Sequence, residues 1–236
     1  MKTAWTTLAV FAVALTHASS AVRSGDEQPL TLDVEALRSA YEQHVATLGC
    51  ETLEADYPKI VRDLRSGQQD RESIACRMLA HCRDPRAIPW LVPLLDGASG
   101  STRAWAGSAI SCIVSECALM RRDPEQLGRI ALQPRRPGDP DLRPFTWLAV
   151  KMMRAPEAAN LRSYGADVAR YVEARELAPD LRKLLDSRHP AVRNAAVFAL
   201  QGLGFEVDEA AVLGPLHPIP RNVAPPEVPG NVAPAK

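Results

Sequence analysis

Two stretches of the chain, beginning at Pro89 and Pro179, place their apolar residues at the same positions without a gap. In each stretch a Pro-x-Leu-x-x-Leu-Leu-Asp segment precedes an arginine, and apolar residues follow that arginine at +3, +6, +7 and +10. These spacings fall on one face of an α-helix. Each stretch therefore predicts two short helices joined by a polar turn.

Two further stretches carry weaker copies of the pattern. One begins at Pro58 and aligns without a gap with the copy at Pro89, at an offset of 31 residues. In the other, a degenerate first helix is expected at 126–132 and a second helix at 140–153, and an extra helix is expected at 158–172. Repeats of this length are typical of helices stacked in series. The sequence therefore predicts an all-α fold, an α-solenoid of about four helical hairpins over 54–213.

The position two residues after the aligned charged residue is also apolar in each copy. The residues at this position are Ile74, Trp105, Phe145 and Ala195. They widen the apolar stripe, which suits an inner helix that contacts both its partner and its neighbours. We therefore expect these four side chains to belong to the buried face.

A separate amphipathic helix is expected before the repeats, within 30–53. Its apolar residues recur at helical spacing and are Leu32, Val34, Leu37, Ala40, Tyr41, Val45 and Leu48. Thr31 and Asp33 are candidates to cap its first turn. Because terminal repeats need a cap, we expect this helix to cover the exposed end of the first hairpin.

Three residues in each of the two best-matched copies resemble the signature of a known repeat family. They are a proline in the first helix, an aspartate that ends it and an arginine that opens the second: Pro89, Asp96 and Arg103, and again Pro179, Asp186 and Arg193. This arrangement resembles the HEAT repeat, particularly its short bacterial, PBS-lyase-like form. The resemblance implies that the aspartate and arginine form a structural ladder between adjacent turns. We therefore expect these residues to support the fold rather than to bind a ligand.

The N-terminal residues have the pattern of a targeting segment. Lys2, an apolar run over 8–15 and small residues over 18–21 predict a signal peptide at 1–21, followed by a linker at 22–29. The apolar run is shorter than the ~20 residues that span a bilayer. We therefore expect an exported protein, periplasmic or extracellular, with no membrane span after cleavage.

The C-terminal residues are rich in proline. Seven prolines lie within 214–236, and the sequence Asn-Val-Ala-Pro occurs there twice. Such a composition predicts a disordered tail with polyproline II character. The tail is interpreted as a tether, with a proline-rich ligand for a partner as the alternative.

Charge and composition narrow the classes of partner. The chain has 28 basic and 28 acidic residues, so no global field attracts nucleic acid or an anionic membrane. Aromatic residues make up 5%, which favours helices over a β-sandwich. Between 121 and 154 there are eight basic residues against four acidic ones. That bias could bind an anionic partner, although such a stretch is more often a solvated face.

The sequence carries no recognised catalytic, cofactor or metal motif, and we expect none of these sites. Its cysteines are Cys50, Cys76, Cys82, Cys112 and Cys117. Within a single helix their spacings exceed the reach of a disulfide, so a bridge between neighbouring helices fits better. Cys82 and Cys112 are the candidate pair, and buried free thiols are the alternative.

These observations predict a protein that is not an enzyme. The expected function is that of a scaffold or adaptor outside the cytoplasm, which binds a protein partner through the surface of stacked helices. One alternative is a HEAT-like enzyme or enzyme accessory of the lyase-like kind. Another is a sensor module that depends on a thiol.

Overall fold

The computed structural model describes residues 32–119, 141–156, 158–208 and 212 of the 236-residue chain. The predicted signal peptide, linker and proline-rich tail lie outside these residues. The described residues form helices and no strand, which confirms the all-α prediction for this part of the chain. They belong to one compact unit. None of their helices is long and apolar enough to cross a membrane.

Short helices follow one another along the described residues. Prolines occupy the first or second position of several of them, where the missing N–H costs no helical hydrogen bond. The α-helices are α1 (Val34–Val45), α2 (Leu53–Asp56), α3 (Pro58–Leu64), α4 (Gln69–Cys82), α5 (Ile88–Leu91), α6 (Leu94–Gly97), α7 (Gly100–Leu119), α8 (Thr146–Met153), α9 (Ala159–Tyr171), α10 (Ala178–Leu184) and α11 (Pro190–Gly202).

Four of the described helices form a row in which each contacts the next. Helix α4 contacts α7, α7 contacts α9, and α9 contacts α11. Each member of the row also contacts shorter helices that precede it in sequence: α3 with α4, α5 and α6 with α7, α8 with α9, and α10 with α11. These contacts divide the described residues from Pro58 to Gly202 into four helical pairs.

The third pair differs from the sequence prediction. The repeat alignment assigns 140–153 to a second helix and 158–172 to an extra one. The contacts make α8 the first member and α9 the second, because α9 is the helix that lies in the row. The assignment is wrong because α8 is buried on most of its surface, between α9 on one side and α1 on the other. It therefore shows the broad apolar pattern expected of a helix in the row.

The aligned apolar positions of α7 and α11 form the core of their pairs, as predicted. All eight side chains are at most 3% exposed: Ala106, Ala109, Ile110 and Ile113 in α7, Ala196, Ala199 and Leu200 in α11, and Leu203 directly after α11. Small residues at +3 and +6 leave room for a neighbouring helix. The repeat pattern thus identifies the buried face of both helices.

Glycines mark the closest approaches between helices. A Cβ atom added to Gly165 of α9 would lie 2.7 Å from the backbone nitrogen of Met153 and 2.9 Å from the carbonyl oxygen of Ala149, both in α8. A Cβ atom on Gly107 of α7 would overlap the side chain of Leu161 in α9. Side chains larger than hydrogen would therefore push α9 away from both neighbours.

Helix α1 lies within the segment predicted to cap the repeats, but it packs elsewhere. Its start is capped by Asp33, whose carboxylate accepts a hydrogen bond from the backbone of Ala36 at 2.9 Å. Tyr41 stacks on Trp147 with ring centroids 4.8 Å apart, and His44 meets Phe145 edge-on at 5.1 Å. The helix therefore covers α8 and the turn before it rather than the first helical pair.

Candidate functional site

The aspartates and arginines of the repeat signature do not bond to one another. Instead, both carboxylate oxygens of Asp96 accept a hydrogen bond from Lys151 Nζ, each at 2.8 Å. This contact joins α6 to α8. Asp186 is exposed, and no described residue binds its carboxylate. The ladder implied by the HEAT resemblance is therefore replaced by a single link between the second and third pairs.

The two signature arginines have different surroundings. The guanidinium of Arg193 donates a hydrogen bond to the carbonyl oxygen of Ser187 at 2.8 Å, across the turn before α11. Arg103 occupies the same position at the start of α7, but no described residue accepts a hydrogen bond from its side chain. It is half-buried and lines two adjoining cavities. Arg193 thus holds the turn within its own pair and does not join adjacent pairs, whereas Arg103 makes no hydrogen bond to a described residue.

The cysteines are free thiols in the structure. The proposed Cys82–Cys112 bridge is not formed in it, and the pairing stays a prediction. Burial raises the pKa of Cys76 to about 12, and burial is also the main reason that the pKa values of Cys50, Cys82 and Cys112 are raised. A raised pKa disfavours the reactive thiolate. No group of three metal-ligating side chains occurs within the described ranges.

Two aspartates in the second half of the chain have shifted pKa values in opposite directions. Burial raises the pKa of Asp167 in α9 to about 6, and the charge of Arg170 only partly offsets this. Burial alone would also raise the pKa of Asp180 in α10, but hydrogen bonds from Lys183 and Arg154 outweigh it and leave that pKa lowered. The bond to Arg154, at 3.0 Å, links α10 to α8.

An exposed apolar surface lies where α4 and α7 meet. Ile74 and Met78 of α4 are 54% and 45% exposed, and Trp105 of α7 is 39% exposed. The guanidinium carbon of Arg77 lies 5.2 Å from the centre of the Trp105 ring, which places the indole beside α4. We call these four residues the α4–α7 patch. It combines a large apolar area with a cation–π contact.

The sequence prediction for this surface is wrong in part. Ile74, Trp105, Phe145 and Ala195 are all expected in the buried stripe, yet only Phe145 and Ala195 are buried, at 1% and 8% exposed. Ile74 and Trp105 lie at the edge of the stripe, on the side of the row that no described helix covers. Side-chain size at this position does not indicate exposure, because Phe145 is large and is still 1% exposed. Local spacing therefore gives no signal that separates the exposed members of this set from the buried ones.

An apolar cavity of ≈ 500 Å³ lies between the first and second pairs. Its walls include Leu64, Pro89, Trp90 and Leu94. The indole N–H of Trp90 donates to the carbonyl oxygen of Cys50 at 3.3 Å, and the guanidinium carbon of Arg65 lies 4.3 Å from the ring centre. Trp90 is therefore held in place from two sides and forms a fixed wall of this cavity.

Comparison with known proteins adds no family to these observations. No protein-family model matches the chain, and no curated protein matches it either. The surfaces of the described helices are therefore the basis for a functional proposal. Among them the α4–α7 patch has the most exposed apolar side chains in one place.

Proposed function

We propose that this protein is a non-catalytic scaffold or adaptor that binds a protein partner through the surface of stacked helices. The observation that supports the proposal is the α4–α7 patch. Large apolar side chains exposed side by side on a folded domain are typical of interaction sites. Tryptophan, methionine and arginine, which all occur in this patch, are enriched at protein interfaces.

The architecture we propose for it is an α-solenoid of HEAT-like pairs. The serial contacts from α4 to α7, α9 and α11 support this proposal, because each pair meets only its neighbours in such a fold. The Pro, Asp and Arg signature of the second and fourth pairs supports the HEAT-like character. A row of this kind presents one long face, to which α4 and α7 contribute the patch.

The charges around the patch indicate the chemistry of the partner. Arg71, Arg77 and His81 are exposed on the same side of α4 as Ile74, and Asp70 is the acidic residue among them. The edge of the patch is therefore positive. We infer a folded protein partner whose apolar side chains are bordered by carboxylates.

We propose that this binding takes place outside the cytoplasm. The order of charged, apolar and small residues at the N-terminus supports export, because it matches the pattern expected of a cleavable signal. N-terminal sequencing of the protein recovered from the exported fraction tests this part. A first residue near position 22 supports it, and a chain that keeps Met1 in the cytoplasmic fraction contradicts it.

The thiol-dependent sensor is less well supported than the adaptor. Burial raises the pKa values of Cys50, Cys76, Cys82 and Cys112, so each of these groups favours the protonated thiol. Redox sensors need thiolates at neutral pH. No observation on the described helices favours the lyase-like alternative.

The test is partner retention by variants of the patch. The native exported fraction is passed over the immobilised protein, bound proteins are identified by mass spectrometry, and Kd is then measured with the purified partner. Trp105→Ala with Ile74→Asp should weaken binding at least thirtyfold, because losing a central tryptophan costs about 2 kcal/mol or more.

The matched control is Phe198→Ala, which removes an exposed aromatic side chain from α11, two members further along the row. It should leave Kd unchanged. Urea unfolding checks that all variants remain folded. Equal retention by the patch variant and the control contradicts the proposal. Loss of the partner on deletion of 214–236 alone would instead move recognition to the proline-rich segment.

A further inference from the structure

Two cavities meet at Arg103, on the side of α7 that faces α8 and α9. Their volumes are ≈ 490 Å³ and ≈ 280 Å³, and Arg103, Pro156 and Leu161 line both. Together they form one cleft between the second and third helical pairs. Cavities of this size accommodate small organic molecules.

The polar groups of the cleft are mainly basic. Arg103 has no acceptor among the described residues, and Lys151 and Arg154 line the smaller cavity. Lys151 is paired with Asp96, and Arg154 is paired with Asp180, which lies in α10. Of these three basic side chains, Arg103 is therefore the one that is not paired with a described carboxylate.

Apart from Asn160 and Asp96, the other residues that line the cleft are apolar. Ala104, Pro156, Ala159 and Leu161 contribute most of the non-charged wall of the larger cavity. The first turn of α9 also lines it, and no side chain caps that turn. The turn adds N–H groups that have no acceptor within the helix. An unbalanced guanidinium beside an apolar wall matches a ligand with one anionic end and one apolar end.

No contact with a described residue gives Arg103 the structural role that the repeat signature predicts for it. Arg193, the equivalent residue in the fourth pair, is tied to the carbonyl oxygen of Ser187. Arg103 donates no hydrogen bond to the turn before α7 or to Asp96. The carboxylate of Asp96 accepts from Lys151 instead. Within the described residues, the guanidinium of Arg103 therefore has no partner, although Arg103 occupies the same sequence position as Arg193.

We propose that this cleft binds a small organic anion. Its carboxylate or phosphate group is held by Arg103, and its apolar body lies against Pro156 and Leu161. This site lies on a different surface from the α4–α7 patch and does not depend on the adaptor proposal. A guanidinium binds both kinds of oxyanion through paired hydrogen bonds, so the probes below distinguish them.

The experiment is a titration of the full exported chain with phenyl phosphate, benzoate and inorganic phosphate at constant ionic strength. Binding is followed by the NMR signal of the Arg103 side-chain N–H and by calorimetry. Phenyl phosphate or benzoate should bind saturably, and the stronger of the two identifies the preferred oxyanion. Inorganic phosphate should bind at least fivefold more weakly, because it lacks the apolar body.

Two variants make the test specific. Arg103→Ala should weaken binding at least tenfold, and Arg103→Lys should give an intermediate loss because lysine keeps the charge but not the paired donors. Arg193→Ala is the matched control and should leave affinity unchanged. Absence of saturable binding overturns the proposal, as does equal affinity in Arg103→Ala. Equal binding of inorganic phosphate and phenyl phosphate overturns the part played by the apolar wall.

Discussion

The second and fourth helical pairs have the same apolar pattern but different polar contacts. Their aligned alanines, isoleucines and leucines are buried in both, at positions 90 residues apart. In the second pair it is the aspartate, Asp96, that has a described partner, and in the fourth pair it is the arginine, Arg193. Burial of apolar surface is not directional, so similar stripes give similar cores. A hydrogen bond needs a partner at a set distance and angle, and equivalent positions need not supply it.

The first helices of the two pairs also differ in shape. Helix α10 is continuous over Ala178–Leu184, whereas the corresponding segment is divided into α5 and α6. Pro93 accounts for the break, because it has no N–H to donate and lysine stands at the equivalent position 183. The break changes which leucine of the Leu-Leu pair is buried: Leu95 in the second pair and Leu184 in the fourth.

The largest effect that separates the two pairs is expected at these leucines. Leu95→Ala should lower the free energy of unfolding by about 2–4 kcal/mol, because Leu95 is 5% exposed and its loss leaves a cavity. Leu185→Ala should cost about 1 kcal/mol, since Leu185 is only half-buried. Urea unfolding measures both. Equal losses would show that the second leucine of the Leu-Leu pair is buried to the same extent in both pairs, which contradicts the comparison.

A smaller effect is expected at the aspartates of the fourth pair. Asp180→Asn should lower stability by about 1 kcal/mol at neutral pH, because it weakens the bonds from Arg154 and Lys183. Asp186→Asn, at the signature position, should change stability by less than about 0.5 kcal/mol.

The pH dependence of the Asp180 effect has a definite sign. The pKa of Asp180 is lowered in the folded protein from its ordinary value of 3.8. Its contribution is therefore present above pH 3.8 and is lost as the pH falls below that value. Urea unfolding between pH 3 and 7 should show the variant and the original chain converging at low pH. A difference that does not begin to shrink as the pH falls below 3.8 would contradict this assignment.

An effect of similar size concerns the contribution of the signature arginines to stability. Arg193→Ala should lower the free energy of unfolding by about 1 kcal/mol, because it removes the bond to the Ser187 carbonyl. Arg103→Ala should change it by less than about 0.5 kcal/mol in the absence of a ligand. Thermal unfolding of the two variants, compared side by side, distinguishes them. A larger loss at Arg103 would mean that its role is structural.

The sequence predicts the helices of the second and fourth pairs well because their stripes are regular. It fails at the third pair, where α8 is buried from two sides and therefore resembles a helix of the row. The candidate surfaces were harder to predict. Whether Ile74 and Trp105 are exposed depends on what covers the row, and the availability of Arg103 depends on Lys151, which is 48 positions away. Neither is a property of local spacing.

The stack of Tyr41 on Trp147 joins residues about 100 positions apart in sequence. Helix α1 therefore cannot reach its final place until α8 has been synthesised. A chain released from the ribosome at residue 119 would leave Tyr41 without its aromatic partners, even though all five helices of the first two pairs, α3 to α7, could already have formed. The beginning of this domain is thus completed late in folding, and a truncation that removes Phe145 and Trp147 would loosen the first helix as well.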